Sequence, residues 1–318
     1  MYRFILWSFR IAMTVLGVGT ACGQTAYPNK PIRIVAAEAG GSLDLIARII
    51  ADGISGSLGR PVIVDNRCGG MISAGIVANA PPDGYTLVLA TGSLWLSPFL
   101  RQTSYDPVRD FSPVTLVATS PNVVVVHPAT PIASIRELIA LAKAKPRELN
   151  YGSSAIGSSN QLGAELFNAM AGVTLVGIAY KGNGPALNAT ISGEIQVMFS
   201  TTAPAMPHIK SGRLKALAAT SAQPSTLLPG LPTVAATLPG YEMILVAGFL
   251  APGKTPAAIT DRLSRETVQF LRRAEVKEKF ISVGVEAAGS SPEQFAATIR
   301  AEMTRMGKVI KDAGIRAD

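Results

Sequence analysis

The chain has 318 residues, a formal net charge of +8, 6% aromatic residues, two histidines and two cysteines. Two cysteines make neither a disulfide framework nor a zinc site, and neither histidine falls in a motif with a nucleophile or ligand cluster. The basic residues are scattered among acids along the C-terminal part, without aromatic interleaving, which excludes a nucleic-acid reader and leaves a modest pull on acidic small molecules.

In chain order, Arg3 and Arg10 precede and flank an apolar run from Ile11 to Val18, and Gly19, Thr20 and Ala21 supply small residues before a cut. This pattern reads as an export signal. The run is shorter than the ~20 residues of a membrane span, and no later stretch is long and apolar enough, so the body is expected to be soluble. Cleavage after Ala21 would leave Cys22 at the terminus, as in a lipoprotein. Ordinary cleavage there or a few residues on would leave a body starting near Tyr27. Cys68 is then either a lone thiol or, if Cys22 stays, a partner for a long-range disulfide. Removing residues 1–21 deletes two arginines and lowers the charge to +6. The remaining body of about 290 residues exceeds one comfortable core, so two domains are expected.

The body alternates strands and helices. Ile32 to Val35 reads as a strand, and Leu45, Ile46, Ile49, Ile50 and Ile54 repeat at helical spacing until Gly59 and Pro61. A strand at Val62–Val64, a helix at Met71–Ala80, a turn at Pro82-Asp83-Gly84 and a strand at Tyr85–Ala90 complete a βαβαβ unit. The strands are continuous apolar runs, as strands buried on both faces are. The pattern restarts with strand Val123–Val126, helix Ile135–Ala144, helix Asn160–Ala171 and strand Leu175–Ala179. Helix Pro185–Ile191, strand Ile195–Phe199, a short helix near Met206–Lys210 and strand Leu214–Ala219 follow. A proline-rich link leads to strand Met243–Leu250 and three closing helices near Pro256–Arg272, Ala274–Val283 and Pro292–Ala313. Two β-rich passages, Val117–Val126 and Tyr241–Leu250, are where the chain can cross between lobes. That predicts a hinge with a cleft, and ligands of open α/β sheets bind beyond the carboxyl ends of the strands.

Two segments mark where that cleft binds. Ile32–Asp44 (IRIVAAEAGGSLD) and Tyr151–Phe167 (YGSSAIGSSNQLGAELF) each run from an apolar or small-residue stretch through glycine and serine into an amphipathic pattern. Each predicts a strand that opens through a short loop into a helix N-terminus. The first amides of a helix have no partner inside it, and the aligned dipoles place about +0.5 charge there. Two such ends facing one cleft would grip a small carboxylate. Asp44, in the first helical turn, is read as a residue that caps amides or fixes the loop. Lys181 follows a strand and is either a contact or a solvated turn residue. Trp95 is either lobe packing or a ligand wall; His127 and His208 are read as structural or exposed, and Arg67 as paired with Asp65.

YPNKPIRIV at the start, Gly40-Gly41-Ser42-Leu43-Asp44, PVIVDNR (Pro61–Arg67), PDGYTL (Pro82–Leu87) and YDPVRDFSPV (Tyr105–Val114) form an ordered set. ELIALAKAKP (Glu137–Pro146), Tyr180-Lys181-Gly182, PHIKSGRLKALAATS (Pro207–Ser221) and LPTVAATLPGYE (Leu231–Glu242) continue it. With these the chain resembles the tripartite tricarboxylate transporter substrate-binding receptors, also called Bug proteins, from Tyr27 to Ile315. The resemblance implies an α/β, type II periplasmic-binding-protein fold with two lobes joined by two hinge crossings. It divides the chain into a signal peptide (1–26), a first lobe (27–120 and 247–318) and a second lobe (121–246). It implies a periplasmic, monomeric receptor that captures a small carboxylate and delivers it to a membrane permease, with no cofactor, metal or catalytic residue. A binding protein that signals to a membrane sensor kinase would use the same fold.

Carried over by position, the ligand contacts are Gly40, Gly41, Ser42, Thr91 and Ser93 in the first lobe. In the second they are Ser154, Gly157, Ser158, Ser159, Tyr180, Lys181, Ser200 and Thr201. The chain departs from the family at Ala37-Glu38-Ala39, where prolines are usual, and Glu38 would repel a carboxylate unless it points away. Cys68-Gly69-Gly70-Met71 replaces a proline-containing, glycine-rich motif. Ser200 stands where many members carry an aspartate suited to an amino group, which argues against an amino-acid ligand. A di- or tricarboxylate, or an aromatic carboxylate packed on Leu94, Trp95 or Phe99, fits these residues.

Overall fold

The computed structural model describes residues 27–36, 42–67, 70–154 and 156–316. The export segment with Cys22, together with Glu38, Gly40, Gly41 and Cys68, lies outside the described residues. The first part of the chain forms β1 (Ile32–Ala36), α1 (Ser42–Leu58), β2 (Val62–Asn66), α2 (Gly70–Ala78), β3 (Thr86–Thr91) and α3 (Gly92–Leu100). β1 lies between β2 and β3 and runs parallel to both. Ile32, Ile34, Val35, Leu87 and Val88 are almost wholly buried, as residues of strands covered on both faces must be. α1 buries Ile46, Ile50 and Ile54 on one face and ends where Gly59 turns to a φ of +68° ahead of Pro61.

Sequence periodicity does not reveal α3, because Pro98 stands inside it and cannot donate to the carbonyl of Leu94. Tyr105 supplies the missing bond from eleven residues away, donating its hydroxyl to that carbonyl at 2.9 Å. Leu94, Trp95, Leu96 and Leu100 are buried, so tertiary packing holds a segment that local propensity would break.

The chain continues with β4 (Phe111–Val126), α4 (Ile135–Ala144), β5 (Asn150–Ser153), α5 (Ser159–Ala171), β6 (Val176–Ala179), α6 (Asn183–Ile191) and β7 (Val197–Thr201). Then come α7 (Thr202–Lys210), β8 (Lys215–Ala219), β9 (Ile244–Pro252), α8 (Ala257–Leu271), α9 (Ala274–Ser282), β10 (Glu286–Ala287) and α10 (Pro292–Asp312). The 16-residue β4 joins the two halves. From Phe111 to Pro121 it pairs antiparallel with β9, and from Asn122 to Val126 with β7 and β8. β9 in turn pairs antiparallel with β3, while β5 runs parallel to β6 and β7. The result is two α/β lobes joined by two antiparallel crossings, as the two β-rich passages predicted.

That register places the carboxyl ends of the strands. Thr91, at the carboxyl end of β3, is level with Ala247 of β9, which is level with Ala118 of β4. Thr201, at the carboxyl end of β7, is level with Asn122 of β4. The two sets of strand ends therefore open on either side of a short stretch of β4, roughly 13 Å of extended chain. The closing helix α10 starts with a full capping box between Ser291 and Gln294 and packs against β4, α3 and α5, so it touches a helix from each half. No helix among the described residues is long and apolar enough to cross a membrane.

Candidate functional site

The candidate wall of the first half consists of the N-termini of α1 and α3. Ser42 is the first residue of α1. Asp44, one turn in, is 5% exposed and pairs with Arg48 at 3.0 Å, while Asn66 at the end of β2 donates to it at 2.9 Å. Arg48 also donates to Asn66 at 2.8 Å. Asp44 therefore fixes α1 to β2 and has its charge met by protein, a structural role other than the amide cap or loop anchor expected from the sequence. At α3, Thr91 is the N-cap in extended conformation and makes no side-chain cap bond. Its hydroxyl lies 3.0 Å from that of Ser93, on the exposed side of the first turn. The interior side of this turn is different. Trp95 is fully buried, stacks edge-on with Phe295 and donates its indole N–H to Glu302 at 2.9 Å. Trp95 is thus lobe packing, and Leu94 is equally buried. Phe99 keeps an exposed face but lies against Gly307 of α10.

The second-half wall is organised by a residue the sequence reading did not single out. Asn160, in the first turn of α5, is 2% exposed and uses both ends of its amide. Its oxygen accepts from Ser154 at 2.7 Å, and its nitrogen donates to the carbonyl of Phe199 at 2.7 Å and to Asn183 at 3.2 Å. Asn183, the first residue of α6, donates at 3.5 Å to Ser200, whose hydroxyl bonds the Thr201 carbonyl at 3.1 Å. One neutral network thus joins the carboxyl ends of β5 and β7 to the starts of α5 and α6. It brings Ser154, Ser200 and Thr201 together. Ser158 caps α5 through the Gln161 amide, and Ser159 is its first residue.

Gly157 adopts a φ of +74°, and a Cβ there would lie 2.2 Å from a methyl of Leu100 at the end of α3. The loop of the second half therefore already rests on a helix of the first, and only glycine suits the place. The Gly157 amide donates to Gln161 at 2.7 Å. Tyr180 and Lys181 adjoin this cluster through the backbone, since the Tyr180 amide donates to the Ser153 carbonyl at 2.9 Å and the Gly182 amide to the Ser154 carbonyl at 3.1 Å, but the Tyr180 side chain turns away from it. The Tyr180 hydroxyl donates to Glu194 at 2.9 Å, and burial together with that carboxylate pushes its pKa up. Lys181 is exposed and forms no ion pair among the described residues.

Other charged residues near these loops are met by protein. Arg67 pairs with Asp65 at 3.1 Å, as expected. His127 accepts the Ala129 amide, and His208 lies in the last turn of α7. Among the described residues no cluster of histidine, cysteine, aspartate or glutamate could hold a metal ion. The candidate residues thus offer hydroxyls and helix-start amides, a donor set suited to binding an anion.

The sequence profile of the tripartite tricarboxylate transporter family receptors matches residues 46–315. The chain belongs to that family. It is 33% identical to protein BugT of Bordetella pertussis over 315 residues, covering 96% of each chain. Among solved structures it is similar to Rpa4515 of R. palustris, determined with adipate, at a TM-score of 0.77 and 35% identity over 91% of this chain and 99% of that one. It is also similar to MatC of Rhodopseudomonas palustris, determined with bound malate, at a TM-score of 0.72 and 26% identity over 89% and 100%. The receptor therefore has the type II periplasmic-binding-protein fold, and its two-lobed description stands. It is a solute-binding protein of the tripartite tricarboxylate transporter and Bug type.

Proposed function

We propose that this receptor works in the periplasm, closes its two lobes over a small dicarboxylate and delivers it to a tripartite tricarboxylate-type membrane permease. The observation that carries the reading is the placement of uncapped or hydroxyl-rich helix starts from both lobes on either side of the β4 crossing. Ser42, Thr91 and Ser93 are assigned to one wall, together with Gly40 and Gly41, which lie outside the described residues. Ser154, Gly157, Ser158, Ser159, Ser200 and Thr201 form the other, with Tyr180 and Lys181 at its margin. Residues 27–120 with 247–318 move against residues 121–246. A carboxylate held by several such donors gains roughly 1.5 to 3 kcal/mol from each charge-assisted bond once closure excludes water. The adipate and malate found in its relatives support a dicarboxylate of that size. Leu94 and Trp95 are buried and Phe99 lies against Gly307 of α10, so none of the three is assigned as a ligand wall, and no catalytic role is proposed.

The test is a thermal-shift series on protein refolded to remove bound ligand, with adipate, malate, succinate, citrate, benzoate and aspartate. A concentration-dependent rise with a dicarboxylate is expected, since a ligand at 100 times its Kd adds about 2.7 kcal/mol. A rise with aspartate alone, or with none of the carboxylates, would sink the proposal. Small-angle scattering on the same samples is expected to show compaction with the stabilising ligand, because only the closed form touches it from both lobes.

A further inference from the structure

The inward face of α10 is apolar at Phe295, Ile299 and Met306, and Glu302 interrupts it while only 6% exposed. Burying a carboxyl group in such a stripe is costly unless something holds it. One oxygen takes the Trp95 indole N–H at 2.9 Å. The other lies behind Gly92, the first residue of α3, where a Cβ would come within 3.1 Å of it. The missing side chain at Gly92 is what lets a carboxyl group reach the inner side of the same helical turn whose outer side presents Thr91 and Ser93.

The groups facing Glu302 are few. Arg305, one turn on in α10, attracts it, but Arg305 is itself paired with Glu242 at 3.1 Å, and Glu242 acts on Glu302 in the opposite sense. α3, β4 and β9 contribute no ionisable side chain, and Glu165 of α5 is bonded to the Tyr151 hydroxyl. Burial pushes the pKa of Glu302 up to about 7, with the Trp95 bond and Arg305 opposing and Glu242 adding. Its charge therefore changes within the neutral range.

We propose that Glu302 is the specificity-determining residue of the first lobe. From behind Gly92 it governs whether the Thr91–Ser93 wall accepts a second carboxylate of the ligand or only a neutral hydrogen-bonding group. When ionised, it already occupies the anion-favouring start of α3 from within and repels a ligand anion on the other side. When protonated, it leaves that start free for one. The inference rests on the carboxylate-receptor reading above and adds to it which end of the ligand must be neutral as the pH rises.

The test is calorimetric titration of ligand-stripped protein at about pH 6 and about pH 8 with adipate and malate, each beside its half-amide. For the wild type, dicarboxylate affinity is expected to fall on the order of tenfold between the two pH values while the half-amides stay level. Glu302→Gln, which can still accept the Trp95 N–H, is expected to bind the dicarboxylates equally at both pH values. A level wild-type response to the dicarboxylates, or a slope retained in Glu302→Gln, would overturn the inference. Should that variant fail to fold, the wild-type contrast between dicarboxylate and half-amide decides the matter alone. Absence of binding by every probe at both pH values would remove the receptor reading itself, and this inference with it.

Discussion

The two candidate walls of the proposed cleft are supported in different ways. Behind the second wall stands a neutral network, Ser154–Asn160–Asn183–Ser200, in which amides and hydroxyls fix the loops. Behind the first stand two buried acids, Asp44 held by Arg48 and Asn66, and Glu302 held by Trp95. A neutral network keeps its geometry at any moderate pH, whereas the Glu302 carboxyl can change charge. The difference teaches that one wall serves as a fixed frame and the other as the wall whose electrostatics can vary.

The largest expected effect lies on the charged side. Burial raises Glu302 from the ordinary 4.5 to about 7, so the folded protein keeps a proton that the unfolded chain releases in between. The stability from this group is complete below about pH 4.5 and is lost as the pH rises to about 7. Glu302→Gln removes that loss. Denaturant unfolding should show the stability difference between variant and wild type growing by roughly 3 kcal/mol between pH 4.5 and pH 8 in favour of the variant. A constant difference would place Glu302 on the same footing as the neutral wall.

The next effect concerns the point where the walls touch. Gly157→Val puts a β-branched residue at φ +74° and drives a side chain into Leu100. A cost of about 2 to 3 kcal/mol is expected, with weaker ligand binding, in unfolding and titration experiments at one pH. Wild-type affinity in this variant would show that the contact between loop and α3 has no part in the site.

The smallest effect of the three is on the neutral side. Asn160→Ala leaves the Phe199 carbonyl and the Ser154 hydroxyl without their partner. Roughly 2 kcal/mol of stability should be lost, and by the same amount at about pH 6 and about pH 8. A pH-dependent loss would mean that charge reaches this wall too.

Much of this architecture is written in local pattern. The isoleucines of α1, the apolar strand runs and the glycine–serine ends each announce their role through spacing that needs only neighbours in sequence. α3 does not, because its helix survives Pro98 only through the Tyr105 hydroxyl. β4 extends back through Pro121 and Pro113 because β9 pairs alongside them, with register shifts after Pro113 and after Leu116. Asn160 and Asn183 look like ordinary polar residues of a first helical turn, and nothing local tells that their amides meet. Glu302 did leave a signal. An acid on the buried stripe of an amphipathic helix, level with Phe295, Ile299 and Met306, is out of pattern, and only the partner Trp95, 207 residues away, explains it.

The most direct test of the central claim is a crystal structure of the receptor with the dicarboxylate that stabilises it most. The ligand is expected between the first turn of α3 and the first turn of α5, with a carboxylate within hydrogen-bonding distance of Ser158 or Ser159 and lobes 27–120 with 247–318 and 121–246 closed upon it. A ligand seated elsewhere, for instance in the outer groove between α8 and α10 that Arg265 and Arg272 line, would contradict it.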